Sequence, residues 1–270
     1  MSAVDMIVKL PPFSTYFTYV NSGIDPSEIR AVVDFSEKAL HEIEYDLILM
    51  GVRHCNYTYI DPLKPDELVQ IHKRNLKYKI ITYVKRFSGF AHTHEQPQGF
   101  EDALAFVAVC DTDENTEKMA KAYLEGDHVT QGHLLGYPED DIEFFVKHWG
   151  HHLDLVYPTA LNSEKRGGKV VGYPELNVLL RYVGPRVIPF FPHSYTCPHA
   201  KKFGDKVVEL LKDRDPDMTK KLLWLLSRDM HYSQVNGIIR VDVVDSNKRI
   251  MTVVASGYTS ERQEFILTSI

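Results

Sequence analysis

The stretch that decides the organisation of the C-terminal half reads Pro192-His193-Ser194-Tyr195-Thr196-Cys197-Pro198-His199. An apolar run over residues 187–191 precedes it and predicts a strand. A helix is expected to begin at Pro198, because proline is common at the first helical position. His193, Cys197 and His199 lie within seven residues, and imidazole and thiolate groups are ligands of transition metals. A helix start also favours an ionised thiolate, so this stretch predicts one half of a metal site.

The other half of the predicted site is the acidic pair Asp140-Asp141, which opens a predicted helix. We expect Asp141 and His193 to be ligands, and Cys197 and His199 to be further ligands or catalytic groups. Asp140 is expected to act as an acid/base group or as a carboxylate that orients a ligand. The competing interpretation is that the two histidines solvate helix ends and that Cys197 is a small core residue.

A short sequence repeat lies near these candidate residues. Gly136-Tyr137-Pro138-Glu139 recurs as Gly172-Tyr173-Pro174-Glu175 with similar flanks. In both copies the proline and the glutamate predict a helix start after a glycine hinge. The repeat is either the chance recurrence of a sequence that favours a helix start or a pair of turns that border one cleft.

The composition of the chain indicates an ordinary globular protein. The chain has 270 residues, of which 44% are hydrophobic and 25% charged, and this length can bury a sizeable core. We expect an N-terminal α/β-type subdomain over residues 1–130 and a C-terminal subdomain over residues 131–270 that carries the metal site. The predicted fold class is α+β, with mixed sheet layers, packed helices and a C-terminal β-hairpin turning at 245–248.

Local patterns predict the elements before the site. Helical spacing of apolar residues predicts a helix from about residue 25 to residue 44. A cap at 111–113 and Gly126 predict the two ends of a second helix. Apolar runs predict strands over residues 47–50, 57–60, 78–85 and 103–110.

Charge and cysteine content restrict the classes of partner and compartment. The net charge of −6 gives no general attraction to nucleic acid or to anionic membranes. No apolar run reaches the roughly 18 residues that a transmembrane helix needs, and no signal peptide is apparent at the N-terminus. Only three cysteines are present, which argues against a disulfide framework and for a reducing compartment. We therefore expect a cytoplasmic protein that binds neither nucleic acid nor membranes.

Two further histidine groups are weaker candidates. His92-Thr93-His94 has a spacing that can bind a metal on an extended segment. In His151-His152-Leu153-Asp154 the aspartate could orient a histidine. For both groups an inert, solvent-exposed position is the simpler interpretation.

Several motifs together resemble an uncharacterised, mainly archaeal protein family. They are Leu135-Gly136-Tyr137-Pro138-Glu139, Leu179-Leu180-Arg181-Tyr182-Val183-Gly184, Phe191-Pro192-His193-Ser194-Tyr195-Thr196-Cys197 and Asn236-Gly237-Ile238. In that family Gly-Tyr-Pro precedes a cysteine pair and a Cys-Ser-Tyr-x-Cys turn follows later, which implies a four-cysteine metal or iron–sulfur site in the relatives.

This chain departs from that pattern at three of the four cysteine positions. Asp140 and Asp141 occupy the positions of the cysteine pair, His193 occupies that of the first later cysteine, and Cys197 remains. A cluster held by four thiolates is thereby excluded. Two histidines with a carboxylate suit non-haem iron, whereas thiolate with histidine suits zinc. We expect a metal-dependent enzyme with one iron or zinc ion and a small-molecule substrate. The alternative is a non-catalytic binding protein with a structural or vestigial metal site.

Overall fold

The structure is a computed structural model that describes residues 15–19, 26–64, 66–86, 96–149, 155–256 and 262–270. It confirms the predicted α+β class, with two sheets and packed helices. The helices are α1 (Pro26–Leu49), α2 (Asp66–Lys73), α3 (Asp113–Glu125), α4 (His128–Leu134), α5 (Glu139–His148), α6 (Val156–Asn162), α7 (Pro198–Arg214) and α8 (Pro216–Leu226). The strands are β1 (Thr15–Tyr19), β2 (Cys55–Ile60), β3 (Lys77–Lys85), β4 (Ala103–Cys110), β5 (Lys165–Arg166), β6 (Lys169–Gly172), β7 (Asp229–Val235), β8 (Ile238–Asp245), β9 (Lys248–Ser256) and β10 (Gln263–Ser269).

The larger sheet is mixed and has the strand order β1-β9-β8-β7-β10-β6-β5. Its pairs are antiparallel except β10 with β6, which is parallel. The predicted hairpin is confirmed: β8 and β9 are joined by Ser246 and Asn247, whose φ angles are 48° and 66°. Positive φ at both central residues is the geometry of a tight hairpin turn. Asn236 and Gly237 join β7 to β8 in the same way, so β7, which the sequence did not predict, extends the hairpin to a meander.

The smaller sheet has the order β2-β4-β3, and the buried strand β4 lies at its centre as predicted. Cys55 on β2 lies directly opposite Cys110 on β4. The two residues form a disulfide, so the expectation that the cysteines form no disulfide is wrong for this pair. Both side chains are fully buried, whereas Cys197 is free. The cysteines of this chain therefore do not support a reducing compartment.

The main core lies between the larger sheet and the helices α1, α7 and α8. It includes residues from all of these elements and from the segment before α7: Ile43, Leu179, Ile188, Val207, Leu222 and Val241, each at most 1% exposed. Apolar burial of this extent is the main term that stabilises the fold. The segment that carries the predicted site is therefore anchored on a well-packed surface.

Two predicted strands are wrong. Residues 47–49 belong to α1, because Leu47 lies one helical turn after Ile43 and both side chains are only 1% exposed in the same core. The run 187–191 forms no strand, although Val187, Ile188 and Phe190 are buried. Pro189 within it lacks the N–H that a sheet ladder requires, so the apolar side chains pack without strand pairing.

The predicted division at residue 130 falls within α4, and two elements before it contact the C-terminal part. β1 pairs with β9, and α1 contributes to the core that α7 and α8 share. The assignment of residues 1–130 and 131–270 to two subdomains stays a prediction.

Within the described ranges, no helix combines the length and the apolar character that crossing a lipid bilayer would demand.

Candidate metal centre

The first half of the site is positioned by the turn between α4 and α5. Gly136 has φ 69°, and a Cβ atom there would lie 2.5 Å from the carbonyl oxygen of Val52, so only glycine fits this close approach. Pro138 then caps α5, which begins at Glu139. Asp140 and Asp141 consequently occupy the first turn of α5, where carboxylates are favoured by the free N–H groups of the helix.

The second half is the turn over residues 192–197, which three hydrogen bonds fix. The Thr159 hydroxyl donates to the carbonyl of Pro192 at 2.7 Å, and the N–H of Tyr195 donates to Ser163 Oγ at 2.8 Å. The N–H of Tyr173 donates to the carbonyl of Tyr195 at 3.0 Å. Thr159 and Ser163 lie in and just after α6, and no sequence motif indicates that they support this turn.

The second Gly-Tyr-Pro-Glu does not start an α-helix, contrary to the prediction, and forms only a 3-10 turn over Pro174–Leu176. Its glycine nevertheless has a clear role, because a Cβ atom at Gly172 would lie 2.6 Å from the Cβ of Tyr195. Both copies of the repeat therefore border the same site. The first copy directly precedes Asp140 and Asp141, and the second packs against the 192–197 turn.

The two halves meet, and potential ligand atoms of Asp140, Asp141, His193 and Cys197 all lie within 4.8 Å of one another. Asp141 Oδ1 accepts the backbone N–H of His193 at 2.6 Å and lies 2.9 Å from His193 Nδ1. Asp140 Oδ2 lies 3.5 Å from His193 Nδ1 and 3.7 Å from Cys197 Sγ. These four residues are the group that we call the acidic His/Cys cluster.

Two distances in the cluster are close to those between the ligand atoms of a tetrahedral metal site. Bonds of about 2.0–2.3 Å at tetrahedral angles place two ligand atoms about 3.3–3.6 Å apart. The contacts of Asp140 Oδ2 with His193 Nδ1 and with Cys197 Sγ, at 3.5 and 3.7 Å, nearly meet this requirement. The contact between Asp141 and His193 has the length of a hydrogen bond, so a metal ion that bound both atoms would lengthen it.

Two carboxylate oxygens of the cluster support the presence of a cation. Asp140 Oδ1 and Asp141 Oδ2 are buried and have no hydrogen-bond partner in the described part of the chain. The Asp141 side chain is only 1% exposed, and a buried carboxylate oxygen without a partner is costly. The donor set of two carboxylates, one imidazole and one thiol therefore fits a divalent transition metal.

Burial is the largest cause of the pKa shifts of Asp141 and Cys197. It raises the pKa of the Asp141 carboxyl above its ordinary value, although the hydrogen bonds from His193 oppose this shift. It also raises the pKa of the Cys197 thiol to about 11, and the neighbouring carboxylates add to the rise. The N–H of Ala200, which donates to Cys197 Sγ at 3.3 Å, acts in the opposite direction. A bound cation would lower both pKa values and release protons.

His199 lies beside the cluster and is not one of its four members. Its Nδ1 lies 3.1 Å from Asp140 Oδ2, and its side chain is 71% exposed. The expectation that His199 is a ligand stays a prediction. His92, His94, His151, His152 and Asp154, the other candidates, lie outside the described residues. No second group of this kind occurs among the residues that the structure describes.

A cavity of about 280 Å³ adjoins the cluster. It lies between the α4–α5 pair and the segment 181–191, and Asp141 forms part of its wall. Most of its other side chains are aromatic or apolar, and Arg181 supplies a positive charge: the lining includes His128, Tyr137, Phe145, Trp149, Phe190 and Phe191. Sequence reasoning missed this cavity, because its residues are distributed over three segments with no shared motif.

Comparisons of the chain with protein-family models, with curated proteins and with solved structures found no match.

Proposed function

We propose that the protein is a metal-dependent enzyme that acts on a small molecule. The observation that carries this proposal is the position of Asp141, which belongs to the acidic His/Cys cluster and also to the wall of the adjoining cavity. A ligand in that cavity would lie next to the metal. An aromatic-lined cavity with a few polar groups is the usual form of a small-molecule site.

In this proposal Asp141, His193 and Cys197 would hold one transition metal ion, and Asp140 would lie beside it, so that one coordination position is left for water or substrate. A metal ion in such a site polarises a substrate oxygen or lowers the pKa of a bound water. Asp141 Oδ1 also accepts the backbone N–H of His193 and so positions this residue in the site.

Asp140 and His199 are the proposed acid/base pair. The contact of 3.1 Å between them allows a proton to pass between the carboxylate and an imidazole that is exposed to solvent. Because the His199 side chain is exposed, it would exchange protons with water, and Asp140 would pass them to or from the centre of the site.

Zinc and iron(II) are the two metals that the donor set suits best. One thiolate and one imidazole are typical of zinc, whereas carboxylates with a histidine are also typical of non-haem iron. Metal analysis of protein purified anaerobically and without chelator tests the proposal. We expect about one equivalent of zinc or iron per chain, lost in Asp141→Asn and His193→Ala. A native preparation without stoichiometric metal would overturn the proposal.

The second candidate is a non-catalytic binding protein in which the same metal is structural. It is favoured by the position of the cluster, which joins the start of α5 to the start of α7 across 52 residues. A structural site is closed by four protein ligands, whereas a catalytic site keeps a position for water. Cobalt substitution distinguishes the two. A cobalt spectrum that responds to small anions indicates an open position, and a spectrum that does not respond indicates a structural site.

A further inference from the structure

The cavity beside the cluster contains two groups of aromatic side chains. His128, Phe145 and Trp149 contact one another, with ring-centroid separations of 4.9–6.0 Å. Tyr137 in the α4–α5 turn lies 4.7 Å from Phe190 on the opposite segment. These rings would bury a flat apolar group. The volume of about 280 Å³ is at the lower end of the range for ligand pockets, so the ligand should be about the size of a single substituted ring.

Arg181 and Asp141 are the residues of opposite charge type in the lining of this cavity. Asp141 contacts His193, and the guanidinium of Arg181 is the group that would attract a negatively charged ligand. Arg181 lies over the ring of Phe191 at 4.0 Å, and this stacking holds the guanidinium plane in one orientation. Burial lowers the pKa of His128, although Asp127 opposes the shift, so this imidazole is mostly neutral at pH 7.

Charged groups of both signs act on the Tyr137 hydroxyl at this end of the cavity. Burial raises the pKa of this hydroxyl and Glu44 adds to the rise, while Arg53, Arg181 and Arg186 oppose it. Arg181 also borders a separate polar cavity that contains Glu37 and Glu44, and these acids balance part of the charge.

We propose that the cavity binds a small carboxylic acid with a single aromatic ring, whose carboxylate pairs with Arg181 and whose ring lies among Phe145, Trp149 and Phe190. Such a ligand would extend between Arg181 and the wall formed by Asp141. Guanidinium groups bind carboxylates through two parallel hydrogen bonds. The inference gives the substrate class of the proposed enzyme. Only the role of the ligand as a substrate rests on the proposed function, because the binding itself requires no metal.

The fluorescence of Trp149 provides a direct test. The chain has two tryptophans, and Trp224 on α8 is not part of this cavity. A Trp224→Phe background therefore reports on the cavity alone. Phenylacetate is titrated into this protein, with phenylacetamide as the uncharged analogue and acetate as the analogue without a ring. We expect saturable quenching by phenylacetate and affinities about 10- to 100-fold weaker for the amide, with no response to acetate.

The matched variants are Arg181→Gln and Arg186→Gln. Both remove a guanidinium group near Tyr137, but only Arg181 lines the cavity. Arg181→Gln should abolish the preference for the acid over the amide, whereas Arg186→Gln should leave it within about twofold. Equal binding of acid and amide by the Trp224→Phe protein, or no binding of either, overturns the inference without any need for the Arg181 variant to fold.

Each titration is made on metal-loaded and on chelator-treated protein, so that the two proposals fail separately. Selective binding of phenylacetate by a protein that takes up no metal would retain the acid-binding cavity and overturn the metal-dependent enzyme. Stoichiometric metal without selective binding of phenylacetate would retain the metal-dependent enzyme and overturn the acid-binding cavity.

Discussion

Asp141 and His193 are 52 residues apart and are joined at two atoms, because Asp141 Oδ1 accepts the backbone N–H of His193 and also contacts its Nδ1. One buried carboxylate oxygen thus sets both the backbone and the imidazole of His193. The other oxygen, Oδ2, has no hydrogen-bond partner among the described residues. The hydrogen bond from the backbone N–H of His193 therefore uses one oxygen of Asp141, and the buried second oxygen is left for a cation.

Asp141→Asn should remove most of the metal affinity. The amide oxygen can still accept the N–H of His193, but it carries no charge to offset that of the metal. We expect a decrease in affinity of at least about 100-fold, measured by competition with a chromophoric zinc chelator. Glu143→Gln on the exposed side of α5 is the matched control, and affinity equal to wild type in Asp141→Asn would contradict the assignment.

Cys197 should show two separable roles. Its sulfur caps α7 by accepting the N–H of Ala200, and it is also the one thiol of the cluster. Cys197→Ser retains a cap, whereas Cys197→Ala loses it and should lower the free energy of unfolding by about 1 kcal/mol in metal-free protein.

Cobalt binding separates the second role from the first. Both Cys197 variants should lack the thiolate-to-metal charge-transfer absorption of the cobalt-substituted wild type. Retention of that absorption in Cys197→Ser would show that the sulfur is not a ligand.

Gly136 and Gly126 form a natural pair for substitution, because both have φ 69° but only Gly136 lies against other atoms. Gly126→Ala should cost about 1 kcal/mol for the left-handed backbone alone. Gly136→Ala adds the clash with the carbonyl of Val52 and should cost roughly 3 kcal/mol. Urea unfolding of the two variants measures the difference, and equal costs would show that the close approach does not constrain the turn.

The disulfide should stabilise the smaller sheet and leave the cluster intact. Cys55 and Cys110 close a loop of 55 residues, for which the entropy model gives about 4 kcal/mol. The double variant Cys55→Ala/Cys110→Ala should therefore unfold at lower urea concentration while it binds metal with unchanged stoichiometry. Thiol counting under denaturing conditions checks the bond itself, since one free thiol per chain is expected and three would refute it.

His41 and Glu67 should make stability depend on pH. His41 Nε2 lies 2.7 Å from Glu67 Oε1, and this hydrogen bond raises the pKa of His41 above 6.5 and lowers the pKa of Glu67 below 4.5. The contribution of His41 is complete below 6.5 and is lost as the pH rises through its raised pKa. The contribution of Glu67 is complete above 4.5 and is lost as the pH falls through its lowered pKa.

The pair should therefore stabilise the protein most between these two values. Urea unfolding of wild type and His41→Gln at about pH 5.5 and about pH 8.5 measures this contribution. The difference between the two proteins should be below about 1 kcal/mol at the lower pH, because the pair is partly exposed, and smaller still at the higher pH. A difference that increases with pH would have the wrong sign.

The elements that local chemistry determines were predictable from the sequence. Thr112 and Gly126 cap α3 as expected, and Pro198 lies at the start of α7. The convergence of Asp140 and Asp141 with His193 and Cys197 was also anticipated, because their positions followed from two helix starts and one turn.

Tertiary context decided the features that the sequence did not reveal. The run 187–191 has the composition of a strand, but it packs as an irregular segment between prolines. Cys55 and Cys110 face each other only because β2 and β4 share a register, which no local pattern encodes. Thr159, Ser163 and Arg181 act through contacts with distant segments, so neither their spacing nor their residue type marks them.

Three of the four members of the cluster come from two helix beginnings, since Asp140 and Asp141 lie in the first turn of α5 and Cys197 is the N-cap of α7. The positive ends of two helix dipoles therefore point to one group of acidic side chains. These dipoles partly neutralise the carboxylates when no cation is bound, and they oppose the cation when it enters. We therefore expect the chain to stay folded while the ion dissociates and binds again. The fraction of occupied sites should then depend on the free metal concentration and not on whether metal was present during folding.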